Sequence, residues 1–86
     1  MYLIQDISEI ESIPSNINKC VIKQNNLLKF VYENRNDASC KFDVEFLRRK
    51  LVKSIRNSYI NKEEQDVVFT KNDIKKILKE NNPAKY

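Results

Sequence analysis

The chain contains neither glycine nor histidine among its 86 residues. Glycine lets a backbone adopt positive φ angles and approach a bound phosphate closely. Without it, the phosphate-binding loop, the dinucleotide-binding fingerprint and the glycine-flanked nucleophilic serine are all absent. The lack of histidine removes the commonest general base and the commonest metal ligand. We therefore expect a protein that is not an enzyme and that holds no cofactor.

The length and composition are those of one small globular domain. A chain of 86 residues can build one modest core, and 41% of its residues are hydrophobic and 33% charged. We expect a single domain over residues 1–86, with residues 82–86 as a flexible tail. No apolar run is long enough to cross a membrane, and Asp6 near the amino terminus argues against a signal peptide. The sequence thus predicts a cytoplasmic or nuclear protein, in which Cys20 and Cys40 stay free thiols.

A short helix is predicted near the amino terminus, where isoleucines recur at helical spacing. Asp6 followed by Glu9 has the pattern of an N-cap with a capping box. Pro14 is expected to end this helix near Ser12, because the residue before a proline disfavours helical geometry. Residues 2–4 also have a second interpretation, as a short strand that leads into the helix.

The central segment is predicted to form an antiparallel β-hairpin. Residues 20–23 and 28–32 are rich in strand formers. Asn25 and Asn26 between them tolerate the positive φ angles of a two-residue turn. Both faces of such a hairpin are partly apolar, so either it is sandwiched between two layers or one face binds a partner. Three apolar residues on one face are candidate protein-interface residues: Ile22, Leu27 and Val31.

Two helices are predicted in the C-terminal half, each with a clear N-terminal signal. Asp43 is placed to cap a helix over residues 44–60, and Thr70 with Asp73 forms a capping box for a last helix. Residues 67–69 between these helices can form a short extended segment. The expected buried stripe of the longer helix comprises Val44, Leu47, Leu51, Ile55 and Tyr59.

These elements together predict an α+β fold. It consists of a short N-terminal helix, an antiparallel β-hairpin and two C-terminal helices packed on that hairpin. The connection between the hairpin and the first of these helices is polar.

The longer C-terminal helix carries a basic stripe opposite its apolar residues. The formal net charge of the chain is +4, which favours an acidic partner. On a helical wheel Arg49, Lys53 and Arg56 form the stripe, and Lys50 lies beside it. Because such a stripe can follow a phosphate backbone, all four are candidate nucleic-acid contacts. The same pattern is typical of a solvated helix face, and the abundance of lysine also fits the AT-rich genome of a virus or mobile element.

Phe46 falls on the basic side of this helix rather than on its apolar side. It is either covered by residues 37–40 or exposed as an anchor, and aromatic anchors are enriched at interfaces.

We therefore predict a small non-enzymatic regulator or adaptor that binds another protein as an inhibitor or complex subunit, alone or as a homodimer. The alternative is a small basic protein that binds nucleic acid through the outward face of helix 44–60. Two cysteines without histidine cannot complete a zinc site, so no metal is expected.

Overall fold

A computed structural model describes residues 1–81, and the expected tail at 82–86 lies outside them. Within residues 1–81, three strands form one sheet in the order β1-β2-β3. Strand β1 is Tyr2–Ile4, β2 is Lys19–Ile22 and β3 is Val67–Thr70. The central strand β2 is parallel to β1 and antiparallel to β3. The fold is therefore mixed α and β, as predicted, but with a different arrangement of its elements.

In the described part of the chain, three α-helices pack with this sheet. Helix α1 is Gln24–Glu33, α2 is Val44–Asn61 and α3 is Lys71–Ile77. Helix α2 contacts α1, α3 and β3, and α3 also contacts β3 directly. No helix among the described residues is both long enough and apolar enough to span a bilayer.

The N-terminal helix is a 3-10 helix at Ile7–Ser12, and both of its predicted ends are confirmed. The Asp6 carboxylate accepts from the Ser8 backbone N–H, and the Glu9 carboxylate accepts from the Asp6 backbone N–H at 2.9 Å. The helix ends before Pro14. The alternative interpretation of residues 2–4 is correct, because they form β1.

The predicted hairpin is wrong in its second half. The segment expected to hold a turn and a second strand is α1, while β2 pairs with two strands that are distant from it in sequence. Leu27 and Val31 lie four residues apart, so a helix also places them on one face. A helix satisfies its own backbone hydrogen bonds, and this leaves both edges of β2 free to pair with β1 and β3.

Alternation along the strands gives the sheet one buried face and one open face. Two rows across the sheet point into the core: Tyr2, Cys20 and Phe69, then Ile4, Ile22 and Val67. The row between them points to the opposite face: Leu3, Val21 and Val68. The helices therefore cover a single face of the sheet.

Both predicted N-caps in the C-terminal half are confirmed. The Asp43 carboxylate accepts from the Phe46 backbone N–H at 3.1 Å and begins α2. At the start of α3, the Thr70 hydroxyl accepts from the Asp73 backbone N–H at 3.2 Å, and the Asp73 carboxylate accepts from the Thr70 N–H at 3.0 Å. The extended segment predicted at 67–69 is part of β3, which runs directly into this cap.

The buried stripe of α2 differs from the prediction at its C-terminal end. Leu47 and Leu51 are buried as expected, but Tyr59 is 80% exposed and Ser54 is buried in place of a larger side chain. Successive helical residues are rotated by about 100°. The inward position of Ser58 therefore turns the next residue, Tyr59, away from the core.

A network of hydroxyl and amide groups explains why serines occupy the inner side of α2. The Gln24 amide donates to the Ser54 and Ser58 hydroxyls at 3.0 and 2.7 Å. The Ser54 hydroxyl donates to the Gln65 carbonyl at 3.2 Å, and the Gln65 backbone N–H donates to the Ser58 hydroxyl at 3.2 Å. These bonds hold α1 and the segment before β3 against α2.

Both cysteines are free, as the sequence predicts. Cys20 is buried in the central strand, and this burial, together with the charge of nearby Asp73, raises the pKa of its thiol to about 11. Cys40 is half-buried.

Candidate nucleic-acid interface

The outward face of α2 contains a shallow, open depression with a basic lining. Five side chains line it: Arg48, Arg49, Val52, Lys53 and Arg56. The structure thus brings together three of the four cations that the sequence selects, and it adds Arg48 to them. Arg49 and Arg56 are seven residues apart, which is about 10.5 Å along a helix axis.

Glu45 is the acidic side chain that faces these cations at the start of α2. It forms two hydrogen bonds with the Arg48 guanidinium, at 2.6 and 3.1 Å, and lies 3.7 Å from Nε of Arg49. The bond to Arg48 lowers the pKa of Glu45 and raises the pKa of Arg48. Among residues 1–81, Lys53 and Arg56 form no ion pair. Four cations and one carboxylate leave this face with three positive charges.

Lys50, the fourth selected cation, faces another part of the molecule. Its ammonium donates to the Asp73 carboxylate at 3.1 Å, and its side chain is 28% exposed. Burial raises the pKa of Asp73, but the hydrogen bond from the Thr70 backbone and the Lys50 ammonium outweigh it and hold that pKa below its usual range. Lys50 therefore joins α2 to the capping box of α3 rather than lining the depression.

A second groove, of about 230 Å³, lies between α2 and β3. Lys50, Lys53, Asn57 and residues 65–68 contribute to its lining. Lys53 lines both this groove and the basic depression, so the two are adjacent on the surface of α2.

The aliphatic residues selected as a protein interface lie in the core. Ile22 and Leu27 are fully buried and Val31 is nearly so. Ile22 lies on the inward face of β2, and Leu27 and Val31 lie on the buried side of α1. The exposed hairpin face that motivated their selection is therefore not formed. Phe46 is half-buried and packs against the same core.

Two exposed residues on α2 were missed by the sequence analysis. Tyr59 and Ile60 are 80% and 76% exposed, and they follow Arg56 by three and four residues. The sequence held a signal for Ile60, because the spacing of four places it on the same helix face as Arg56. The signal for Tyr59 was ambiguous: its spacing of three from Arg56 is typical of the outward face, and its spacing of four from Ile55 is typical of a buried stripe.

The open face of the sheet is a second surface that the sequence did not indicate. Leu3 is directly opposite Val21, and Val21 is directly opposite Val68, so three aliphatic side chains form one row. Leu3 is 50% and Val68 39% exposed. Lys19 and Thr70 form the next paired positions of β2 and β3 and are exposed.

No family model matches the chain, and no curated protein or solved structure is significantly similar to it. In the part of the chain that the structure describes, no group of cysteine and acidic side chains is arranged to hold a metal ion. The functional assignment therefore depends on the geometry and charge of the two exposed surfaces.

Proposed function

We propose that this protein binds nucleic acid through the outward face of α2 and catalyses no reaction. The observation that carries the proposal is the set of four cations around one exposed depression: Arg48, Arg49, Lys53 and Arg56. Glu45 forms ion pairs with the first two of them. Guanidinium groups bind phosphate oxygens through paired hydrogen bonds, which makes arginine well suited to such a surface.

The spacing of these cations suits a run of neighbouring phosphates. One strand of duplex DNA presents a phosphate about every 3.4 Å along the helix axis. The distance of about 10.5 Å from Arg49 to Arg56 along α2 therefore spans about three such intervals. Contacts of this kind fix the position of a protein on the backbone without reading the base sequence, so we expect sequence-tolerant binding.

The structure changes the balance between the two functions that the sequence leaves open. The sequence favours protein binding on two grounds, an apolar hairpin face and the position of Phe46. The residues selected on that face are buried, and Phe46 is half-buried against the core. Nucleic-acid binding was based on a helical wheel, and the outward orientation of Arg49, Lys53 and Arg56 supports it. Lys53 and Arg56 give the strongest support, because their charges are not neutralised by an ion pair among the described residues.

Fluorescence anisotropy with labelled DNA at two salt concentrations tests the proposal. We expect micromolar binding that weakens steeply with salt, since each neutralised phosphate adds about 0.9 to the salt slope on duplex DNA. Lys53→Glu should lower the affinity at least about fivefold. Lys29→Glu, which makes the same charge change at an exposed site on α1, is the matched control and should have a much smaller effect. Equal losses in the two variants, or no loss in Lys53→Glu, would contradict the proposal.

Protein binding stays a second candidate because of the open face of the sheet. An aliphatic row with a polar surround is typical of a docking surface, and the row formed by Leu3, Val21 and Val68 is such a row. A regulator or adaptor, including a homodimer, can use it. Sedimentation across a range of concentrations tests the homodimer: Val68→Lys should abolish self-association, and a wild-type protein that stays monomeric throughout would exclude it.

A further inference from the structure

Tyr59 and Ile60 extend the outward face of α2 past its last arginine. Tyr59 lies three residues after Arg56, about 4.5 Å further along the helix axis. Its side chain is 80% exposed, although a tyrosine in a small protein has much apolar area to bury. The inner side of this turn is occupied by Ser54 and Ser58, which leaves the aromatic ring in solvent about one helical turn past Arg56.

The ring of Tyr59 is free to stack against another planar group, whereas the ring of Tyr32 is partly covered by a cation. Tyr32 is likewise exposed, but the Arg35 guanidinium lies 3.8 Å from its ring centroid and covers one face. Within residues 1–81, neither a cation nor another aromatic ring is stacked on Tyr59. Tyr59 can therefore accept a planar group on its ring.

We infer that the nucleic acid bound by α2 is single-stranded, with an unpaired base stacked on Tyr59 and its backbone held by the cations of the depression. This inference rests on the proposed function. A cationic surface next to an exposed aromatic ring is the combination by which proteins hold single strands without sequence preference. In the interior of a duplex both faces of each base are already stacked, so the ring of Tyr59 has nothing to bind there.

The remaining lining of the depression fits the same ligand. Val52 adds an apolar side chain between the cations, where it can contact a sugar or a base edge. Glu63 and Glu64 follow Lys62, the residue that ends α2, and both are exposed, so two negative charges lie beyond the C-terminal end of the basic strip. A basic strip confined to one face of a single helix accommodates one backbone more readily than the two backbones of a duplex.

The decisive experiment compares three labelled ligands of equal length: single-stranded oligothymidine, a duplex, and a single strand with abasic sites that keeps its phosphates. Wild-type protein should bind oligothymidine at least about fivefold more tightly than either of the others. Tyr59→Ala should lower the affinity for oligothymidine about tenfold, leave duplex binding unchanged and show no further loss on the abasic strand. Tyr59→Phe should retain the wild-type affinity, because stacking needs the ring and not the hydroxyl. Tyr32→Ala is the matched control.

The outcomes separate the inference from the proposed function. Salt-dependent binding in which Tyr59→Ala loses nothing, or loses as much on the duplex as on the single strand, would overturn the inference and leave the basic face in place as a binding surface. A wild-type preference for the duplex would also overturn it. If none of the ligands binds wild-type protein at low salt, both the inference and the proposed function fail. Because Tyr59 is exposed, each variant should give a wild-type circular dichroism spectrum.

Discussion

Lys50 and Lys53 lie three residues apart on α2, yet the structure gives them different surroundings. Lys50 points towards α3, where its ammonium bonds to Asp73, a residue that also caps that helix. Lys53 is exposed and lines the basic depression. The comparison teaches that position on a helical wheel does not decide the role of a cation. The role of each lysine depends on whether another element of the fold places a carboxylate within bonding distance of its ammonium group.

The whole of α2 is divided in the same way, into a side that contacts other elements and a side that faces solvent. One side holds the protein together through Leu47, Leu51, Ser54 and Lys50, which are buried or bonded to other elements. The other side carries the exposed arginines and Tyr59. Substitutions on the first side should change the free energy of unfolding, and substitutions on the second side should change binding only.

The largest effect is expected at Leu51. Leu51→Ala leaves a cavity in the core and should lower the free energy of unfolding by about 2–5 kcal/mol in urea denaturation. Tyr59→Ala removes a larger side chain from an exposed position and should change it by less than about 0.5 kcal/mol. If the two variants were destabilised equally, the division of α2 into two sides would be wrong.

A smaller effect is expected at Asp73. Asp73→Asn removes the charge that Lys50 faces and weakens the capping box, so we expect a loss of about 1–2 kcal/mol at neutral pH. The pKa of Asp73 is lower in the folded than in the unfolded chain. Its carboxylate therefore contributes stability above the unfolded pKa of about 3.9, and this contribution is lost as the pH falls through the folded pKa.

Urea denaturation of this variant at several pH values checks the sign. The difference in stability between wild type and Asp73→Asn should shrink as the solution becomes more acidic. Glu64→Gln, at an exposed position, serves as the control and should have little effect at any pH. A difference that stayed constant into acid would show that the charge of Asp73 contributes nothing, and that Lys50 is no more involved in stability than Lys53.

The smallest effect is expected at Lys62, which follows α2 with φ 58° and ψ 30°. A side chain with a Cβ is strained in this left-handed conformation by about 1–2 kcal/mol, while glycine costs about 0.5–1 kcal/mol in chain entropy. Lys62→Gly should therefore stabilise the protein by about 0.5 kcal/mol in thermal or urea unfolding. Lys62→Ala removes the same charge without relieving the strain and should give no gain. If both variants bind DNA with the wild-type affinity, the charge of Lys62 takes no part in the binding surface.

The parts of the fold that the sequence predicted are those with local causes. The caps at Asp6, Asp43 and Thr70 act on residues two or three positions away, and all three form. Helix α1 has no such signal, because Lys23 precedes it without a side-chain hydrogen bond to the helix. The pairing of β2 with β1 and β3 depends on contacts between residues that are distant in sequence, and no local sequence pattern encodes such contacts.

In the candidate site, too, the sequence predicted the features that have local causes. The outward orientation of Arg49, Lys53 and Arg56 follows from helix periodicity alone. The exposure of Tyr59 does not, since it results from bonds between Ser54, Ser58 and the distant residues Gln24 and Gln65. The ion pair of Lys50 likewise required α3 to be placed against α2.

The buried thiol of Cys20 gives the molecule an internal reporter of its own opening. The thiolate is the nucleophile that attacks a thiol reagent. While the sheet is closed, burial shields Cys20 from the reagent and the raised pKa keeps its sulfur protonated. The modification rate of Cys20 thus measures how often the central strand separates from its neighbours, in competition with reclosure. A ligand that binds only the folded chain must slow this reaction in proportion to its occupancy. The affinity of α2 for a nucleic acid is therefore readable at a sulfur atom on the other side of the core.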